Sequence, residues 1–246
     1  MNITDYFKQH FEIVPADTDD LVEEVLKLRY QVYCVENPLA DRTSHTDCKE
    51  HDSYDAWSVH HLIRHKLTSV FVASVRLILP NPNDLNNRFP MEIFCGGSFY
   101  KDAVYPKQFQ RKLLAEVSRF LISKERSKLI RKISSEYNDR AVKELTYQRK
   151  DGLFCYLLLF GLFSAVVRMT VQKNISYWYV GVEPAFHRLL KKFGIDFSPI
   201  GPSYEYHGKR FPCLGSTASI LLMIQKYRPD LWNFLTRENQ IIQDNQ

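Results

Sequence analysis

The sequence predicts a mixed α/β domain, a central sheet of mixed strand direction flanked by helices, on three observations. "LVEEVLKLRYQVYCVE" keeps Val22, Val25, Leu26, Val32 and Tyr33 at helical spacing. "TSVFVASVRLIL" alternates with period two, Val70, Val72, Ser74 and Arg76 on one face and Phe71, Ala73, Val75 and Leu77 on the other. "GLFCYLLLFGLFSAVV", between Lys150 and Arg168, is almost wholly apolar. It is shorter than the roughly 20 residues that span a bilayer, so it reads as a buried core helix, with a peripheral membrane role left open.

In chain order, residues 1–17 read as an N-terminal arm, and Asp20 with Glu23 resembles a capping pair for the first helix. "ENPLADRTSHTDCKEHDSYD" is a loop by composition. The strands "AWSVHHLIRH" and "TSVFVASVRLIL" follow, then the loop "PNPNDLNNRFP" and the strand "LLAEVSRFLIS". "KERSKLIRKISSEYNDRAVKELTYQRK" reads as a mobile basic segment leading into the apolar helix. "ISYWYVGV" is a buried strand, and "EPAFHRLLKKFG" a short helix with Pro184 in its first turn and Gly194 at its stop. A hairpin with Gly208 at its tip, a helix "TASILLMIQKYRP" and a polar tail at 237–246 complete a single domain spanning 1–246.

The chain has 246 residues, 45% hydrophobic and 13% aromatic, with a formal net charge of +5. That mild excess does not reach the charge density of a dedicated nucleic-acid binder. Five scattered cysteines without a CxxC pair, and an N-terminus without an apolar h-region, point to a cytoplasmic protein. No GxGxxG, P-loop or GxSxG motif is present, which removes support from nucleotide-binding folds and serine hydrolases. Histidines 45, 51, 60, 61 and 65 lack zinc-motif spacing, and no metal is expected. Cys95 has no partner histidine that would make it a nucleophile.

Polar residues interrupt otherwise structural segments at Arg29, at Glu50, Asp52 and Asp55, at Arg76, and at Glu116, Ser118 and Arg119. Arg29 on a helix stripe has a bland explanation, a guanidinium snorkelling at the stripe's edge. The set as a whole also has one, in buried salt bridges such as Arg29 with Asp52 and Arg76 with Glu116. The functional reading brings the arginines and carboxylates to one pocket that orients a small zwitterion and takes a proton from its amine. A straight strand would set Glu116 and Arg119 on opposite faces, so that reading requires a bulge or splay in "LLAEVSRFLIS".

These residues, in this order, resemble the autoinducer-synthase branch of the GNAT-like acyltransferases. That branch includes acyl-homoserine-lactone synthases, N-acyl amino acid synthases and acyltransferases associated with PEP-CTERM/exosortase systems. The similarity lies in "LRYQVYCVE", "EHDSYDAWSVHHL", "VASVRLILP", "FPMEIF" and "LLAEVSRFLIS", and is nearest to the exosortase-associated group. It implies a GNAT-like fold with a splayed strand pair in its central sheet. It further implies that Arg29 and Tyr33 help enclose the acceptor, that Asp52 and Asp55 are the paired acids, and that Arg76 organises them. Glu116 matches the general base and Arg119 its partner in an E-x-S-R motif, with Ser118 between them on the substrate side.

The implied activity is N-acyl transfer from a fatty acyl thioester to an amino acid or similar small amine. "VENPLA" stands where homoserine-lactone synthases carry a tryptophan, which tilts the acceptor away from S-adenosylmethionine. The Q/R-x-x-G-x-G/A pyrophosphate loop is absent after the Glu116 strand, which favours acyl carrier protein over coenzyme A as donor, acyl-CoA remaining open. No bound cofactor is implied. The basic stretch at 124–150 is either a solvated face or a docking site for the acidic carrier protein. An acyl-homoserine-lactone synthase, a CoA-dependent GNAT N-acetyltransferase and a non-catalytic acyl-carrier- or lipid-binding protein are the alternatives.

Overall fold

The computed structural model describes residues 3–37, 40–95, 97–100, 103, 110–136, 151–206 and 208–236. Its helices are α1 (Ile3–His10), α2 (Asp19–Tyr30), α3 (Pro90–Phe94), α4 (Lys124–Glu136), α5 (Asp151–Gln172), α6 (Pro184–Lys192), α7 (Thr217–Tyr227) and α8 (Pro229–Leu235). The strands are β1 (Phe11–Pro15), β2 (Ser58–His65), β3 (Phe71–Ile78), β4 (Leu114–Ile122), β5 (Tyr177–Val182), β6 (Ser198–Pro199), β7 (Tyr204–Glu205) and β8 (Lys209–Ser216). They hydrogen-bond in the order β1-β2-β3-β4-β5-β8-β6, with β7 on β8. The mixed α/β class read from the sequence is the class observed.

The chain divides into two compact units. The first comprises Met1–Ser53, His60–Arg76 and Arg119–Val166; the second comprises Tyr54–Val59, Leu77–Ser118 and Val167–Gln246.

In the first unit, residues 1–17 are not the simple arm expected. α1 leads directly into β1, which pairs antiparallel with β2 from Phe11 opposite His65 to Pro15 opposite His61. The cause is apolar: Tyr6, Phe7 and Phe11 are all buried, and the Phe11 ring meets Phe154 of α5 edge-on. α1 and α5 approach closely because position 161 is glycine; a Cβ there would lie 2.4 Å from the Phe7 ring. α2 begins earlier than the Asp20–Glu23 pair suggested. Thr18 Oγ1 accepts from the Leu21 N–H, and Asp19 and Asp20 occupy the first turn, where the helix dipole favours them. Val25, Leu28 and Val32 of this helical segment pack with Leu62 and Leu121.

The basic stretch expected to be mobile is helical through Glu136. Its start is held by Glu36, which accepts from Ser123 Oγ at 2.5 Å and from the Lys124 N–H at 2.7 Å, a carboxylate at the positive end of the helix dipole. Ser127, Ile130 and Ser134 face inward, and Lys124, Lys128 and Lys132 face solvent. The remainder of that stretch, 137–150, and the tail at 237–246 lie outside the described residues. On β3 the alternation in sequence does not separate a wet from a dry face, since Val72 through Ile78 are all buried. Phe154–Gln172 of α5 is long and apolar enough to cross a membrane by length and composition, yet 78% of it is buried inside the protein.

In the second unit, β5 runs parallel to β4 from Leu114 opposite Tyr177 to Val117 opposite Val180, and antiparallel to β8 along its whole length. The Trp178 indole N–H donates to Thr170 Oγ1 at 2.8 Å, fixing the end of α5 to β5. Pro184 starts α6, and Gly194 ends it with φ +78°. Gly208, with φ +99°, turns the chain between β7 and β8 as the sequence indicated. α8, which the reading of the sequence did not anticipate, buries Leu231, Trp232, Phe234 and Leu235.

Alanine exceeds glycine by about 1 kcal/mol in a helix interior. Gly161→Ala is nonetheless expected to destabilise by about 1–2 kcal/mol, because its methyl overlaps the Phe7 ring. Urea unfolding measures this, and a midpoint at or above wild type would contradict the close packing of α1 on α5.

Candidate active site

In the first unit, the charges that interrupt α2, β3 and β4 form one network. Arg29, fully buried on α2, donates from Nε to Glu50 Oε2 at 2.5 Å. Glu50, only 4% exposed, also accepts from Arg119, whose Nη2 lies 2.7 Å from Oε1. The same Nη2 donates to Asp52 Oδ2 at 3.0 Å. Asp52 in turn receives both Arg76 Nη atoms, at 2.6 and 2.9 Å, a planar fork on a planar carboxylate. The Tyr33 ring lies beneath Arg119, with its centroid 5.5 Å from Cζ.

The backbone is shaped to this network. The Glu50 N–H donates to the Leu26 carbonyl at 3.1 Å, which ties the acidic loop to α2. Arg119 leaves extended geometry with φ +49°, a conformation that costs a non-glycine residue about 1–2 kcal/mol. The departure from a straight strand falls on Arg119 itself, while Glu116, earlier on β4, belongs to the second unit. Burial by itself would raise the Glu50 carboxyl. The Arg119 and Arg29 guanidiniums outweigh it and hold the pKa at about 2. The same carboxylate, against the cost of burial, raises Arg119 above its already high ordinary value.

In the second unit, Glu116 sits on β4 opposite Tyr179 of β5 and is 7% exposed. The Met91 N–H donates to its Oε2 at 2.9 Å. Burial, then the Glu116 charge, pushes the Cys95 thiol up to about 11, and burial together with the charges of Cys95 and Glu116 raises the Tyr204 phenol. Around these groups pack Phe89, Met91, Leu114, Ile200 and Leu214, with Tyr204 at the edge. Ser118 is half-buried on β4, and Asp55 lies in the short 3₁₀ turn Ser53–Trp57.

Two ion pairs that the structural reading of the sequence did not offer are present: Arg29 binds Glu50, and Arg76 binds Asp52. Asp52 and Asp55, read as one pair of acids, fall in different units. Glu50 was visible as a cluster member but carried no assigned role. Its partner choice follows from the turn at 48–50, where Cys48 has φ +58°, and no periodicity encodes that. Glu92 did leave a signal: it follows Phe89 by three positions with Pro90 between, and its Oε2 accepts from the Phe89 N–H at 2.8 Å.

Removing one partner of a buried ion pair leaves the other charge stranded, so Glu50→Gln is expected to cost about 3–5 kcal/mol. The folded pKa of Glu50 lies below its ordinary 4.5. Its contribution is therefore complete above pH 4.5 and lost as the pH falls through about 2. Denaturant titrations across that window should show a loss of stability in wild type that Glu50→Gln lacks; parallel pH profiles would contradict the assignment.

Residues 28–130 match the family described as Acetyltransferase (GNAT) domain. Comparison with curated proteins gave no match. Among solved structures, the chain is similar to the AHL synthase LasI, with a TM-score of 0.51 and 21% identity over 83% of this chain and 87% of LasI. It is similar to BjaI, a CoA-dependent acyl-homoserine lactone synthase solved with SAM and isopentyl-CoA, with a TM-score of 0.55 and 17% identity over 94% of this chain and 89% of BjaI. FeeM, an N-acyl amino acid synthase from uncultured soil microbes, gives 0.54 and 13% over 88% and 97%. At such identities the likeness is one of fold, and it agrees with the GNAT-like architecture expected from the motifs. Residues 28–130 are thus similar to the GNAT acetyltransferase domain, and the chain has the fold shared by acyl-homoserine-lactone and N-acyl amino acid synthases.

Proposed function

We propose that the protein transfers a long-chain fatty acyl group from an acyl carrier protein thioester to the amine of an amino acid or similar small amine. The observation that carries this reading is Glu116. It is a buried carboxylate on the GNAT-matched segment and accepts a hydrogen bond from the Met91 N–H. An acceptor ammonium cannot attack a thioester until it loses a proton, and Glu116 takes that proton directly or through one water. Glu50 does not suit the task, because a carboxyl held at about 2 is too weak a base at neutral pH.

The remaining roles follow the charges. Arg29, Arg76 and Arg119 hold Glu50 and Asp52 in place and attract the acceptor's carboxylate. Asp52, with Tyr33 in the same unit, attracts its ammonium; Asp55 and Ser118 are assigned to the acceptor by the resemblance of their motifs alone. FeeM, described as an N-acyl amino acid synthase, supports the acceptor class, and the exposed lysines of α4 suit an acidic carrier protein. BjaI is described as CoA-dependent, so the donor is tested with both thioesters. A cytoplasmic location and a place beside an exosortase system belong to the same proposal.

The experiment is acylation of an amino-acid panel by the purified protein, with long-chain acyl carrier protein and acyl-CoA in competition. The carrier-protein donor should dominate, and its kcat/KM should fall as salt is raised. Folded Glu116→Gln should lose 10²–10⁴-fold in kcat, the usual range for a general base. Near wild-type turnover by that variant would remove Glu116 from the mechanism. Binding of acylated carrier protein without turnover of any amine would remove the enzymatic reading of the substrates.

A further inference from the structure

In the second unit an ion pair lies on α3, the helix that carries Met91. Arg111 donates from Nη1 to Glu92 Oε1 at 2.6 Å and from Nη2 to Glu92 Oε2 at 2.7 Å. The same Nη2 donates to the Asn87 carbonyl at 2.6 Å, and the guanidinium lies over the Phe89 ring, 4.5 Å from its centroid. Glu92 accepts from the Phe89 N–H, and the Arg88 side chain binds the Glu92 carbonyl. One guanidinium thus grips the loop before α3, the aromatic ring at its start and the side chain inside its first turn. Two residues after Phe89 in that clamped stretch comes Met91, whose N–H meets the Glu116 carboxylate at 2.9 Å.

We infer that Arg111 is a positioning residue: through Glu92 it fixes the first turn of α3 so that the Met91 N–H keeps the Glu116 carboxylate in its proton-accepting form. The inference rests on the reading of Glu116 as the base. A backbone N–H given to a carboxylate stabilises the ionised form, so a loosened turn leaves Glu116 harder to ionise. The titratable groups beside Glu116 in this unit include Cys95 at the end of α3, Tyr204 on β7 and Tyr179 on β5. Cys95 and Tyr204 are both raised and stay neutral through the acidic range, and the NMR titration separates Glu116 from the other carboxylates that titrate there.

The test is the pH dependence of kcat/KM for wild type, Arg111→Lys and Glu92→Gln, with a carbon-detected NMR titration of the Glu116 carboxyl in each. Clamping predicts that both variants move the acidic limb and the NMR midpoint upward by roughly one pH unit. Arg111→Lys keeps the charge but cannot span Glu92, Asn87 and the Phe89 ring together. A merely electrostatic influence predicts otherwise: Arg111→Lys would stay at the wild-type midpoint, and Glu92→Gln, which removes a nearby negative charge, would lower it. Either of those results overturns the inference. The two claims fail separately. If folded Glu116→Gln retains turnover, the base assignment is lost, while the NMR midpoints still decide whether Arg111 and Glu92 hold the carboxylate.

Discussion

Glu50 between Arg29 and Arg119 is the contact on which the first unit turns. A carboxylate 4% exposed and a guanidinium fully buried are each too costly to desolvate alone, so neither segment can be placed without the other. The pair commits α2 to the acidic loop, and the loop to the last turns of β4 through Arg119. The positive φ of Arg119 is tolerated because its guanidinium reaches two carboxylates from there. Arg76 completes the arrangement by gripping Asp52 with both of its terminal nitrogens.

Two buried glutamates are held by different groups. Glu50 is locked by guanidiniums into a permanent charge, which makes it a structural anion and a poor base. Glu116 accepts from the Met91 N–H at 2.9 Å, in a unit whose core includes Phe89, Met91, Tyr179 and Leu214. Both glutamates lie within residues 28–130, the segment that matches the GNAT acetyltransferase domain.

Which residues were out of place could be read from the sequence alone. Arg29, Arg76, Glu116 and Arg119 stand out because helical and strand periodicities assign them to buried positions, and burial of all but the half-buried Arg119 is near complete. Who binds whom could not be read this way. Asp52 and Glu50 are two residues apart in an aperiodic loop, and the choice between them depends on the positive-φ turn at Cys48. The helix over Lys124–Glu136 was obscured for a different reason. Its basic composition suggested mobility, whereas its order comes from Glu36, a carboxylate far away in sequence that caps its first turn.

Local periodicity and turn chemistry were enough to establish the mixed α/β class, the strands around Arg76 and Glu116, the core helix that became α5, and the glycines at 194 and 208. Those features depend on contacts between near neighbours in the chain, and a pattern of side chains records them directly. The pairing of Glu50 with Arg29 and Arg119, the contact of the Met91 N–H with Glu116, and the hold of Arg111 on Glu92 arose with folding. Each joins segments distant in sequence at separations near 3 Å, and hydrogen-bond geometry that strict has no counterpart in linear spacing.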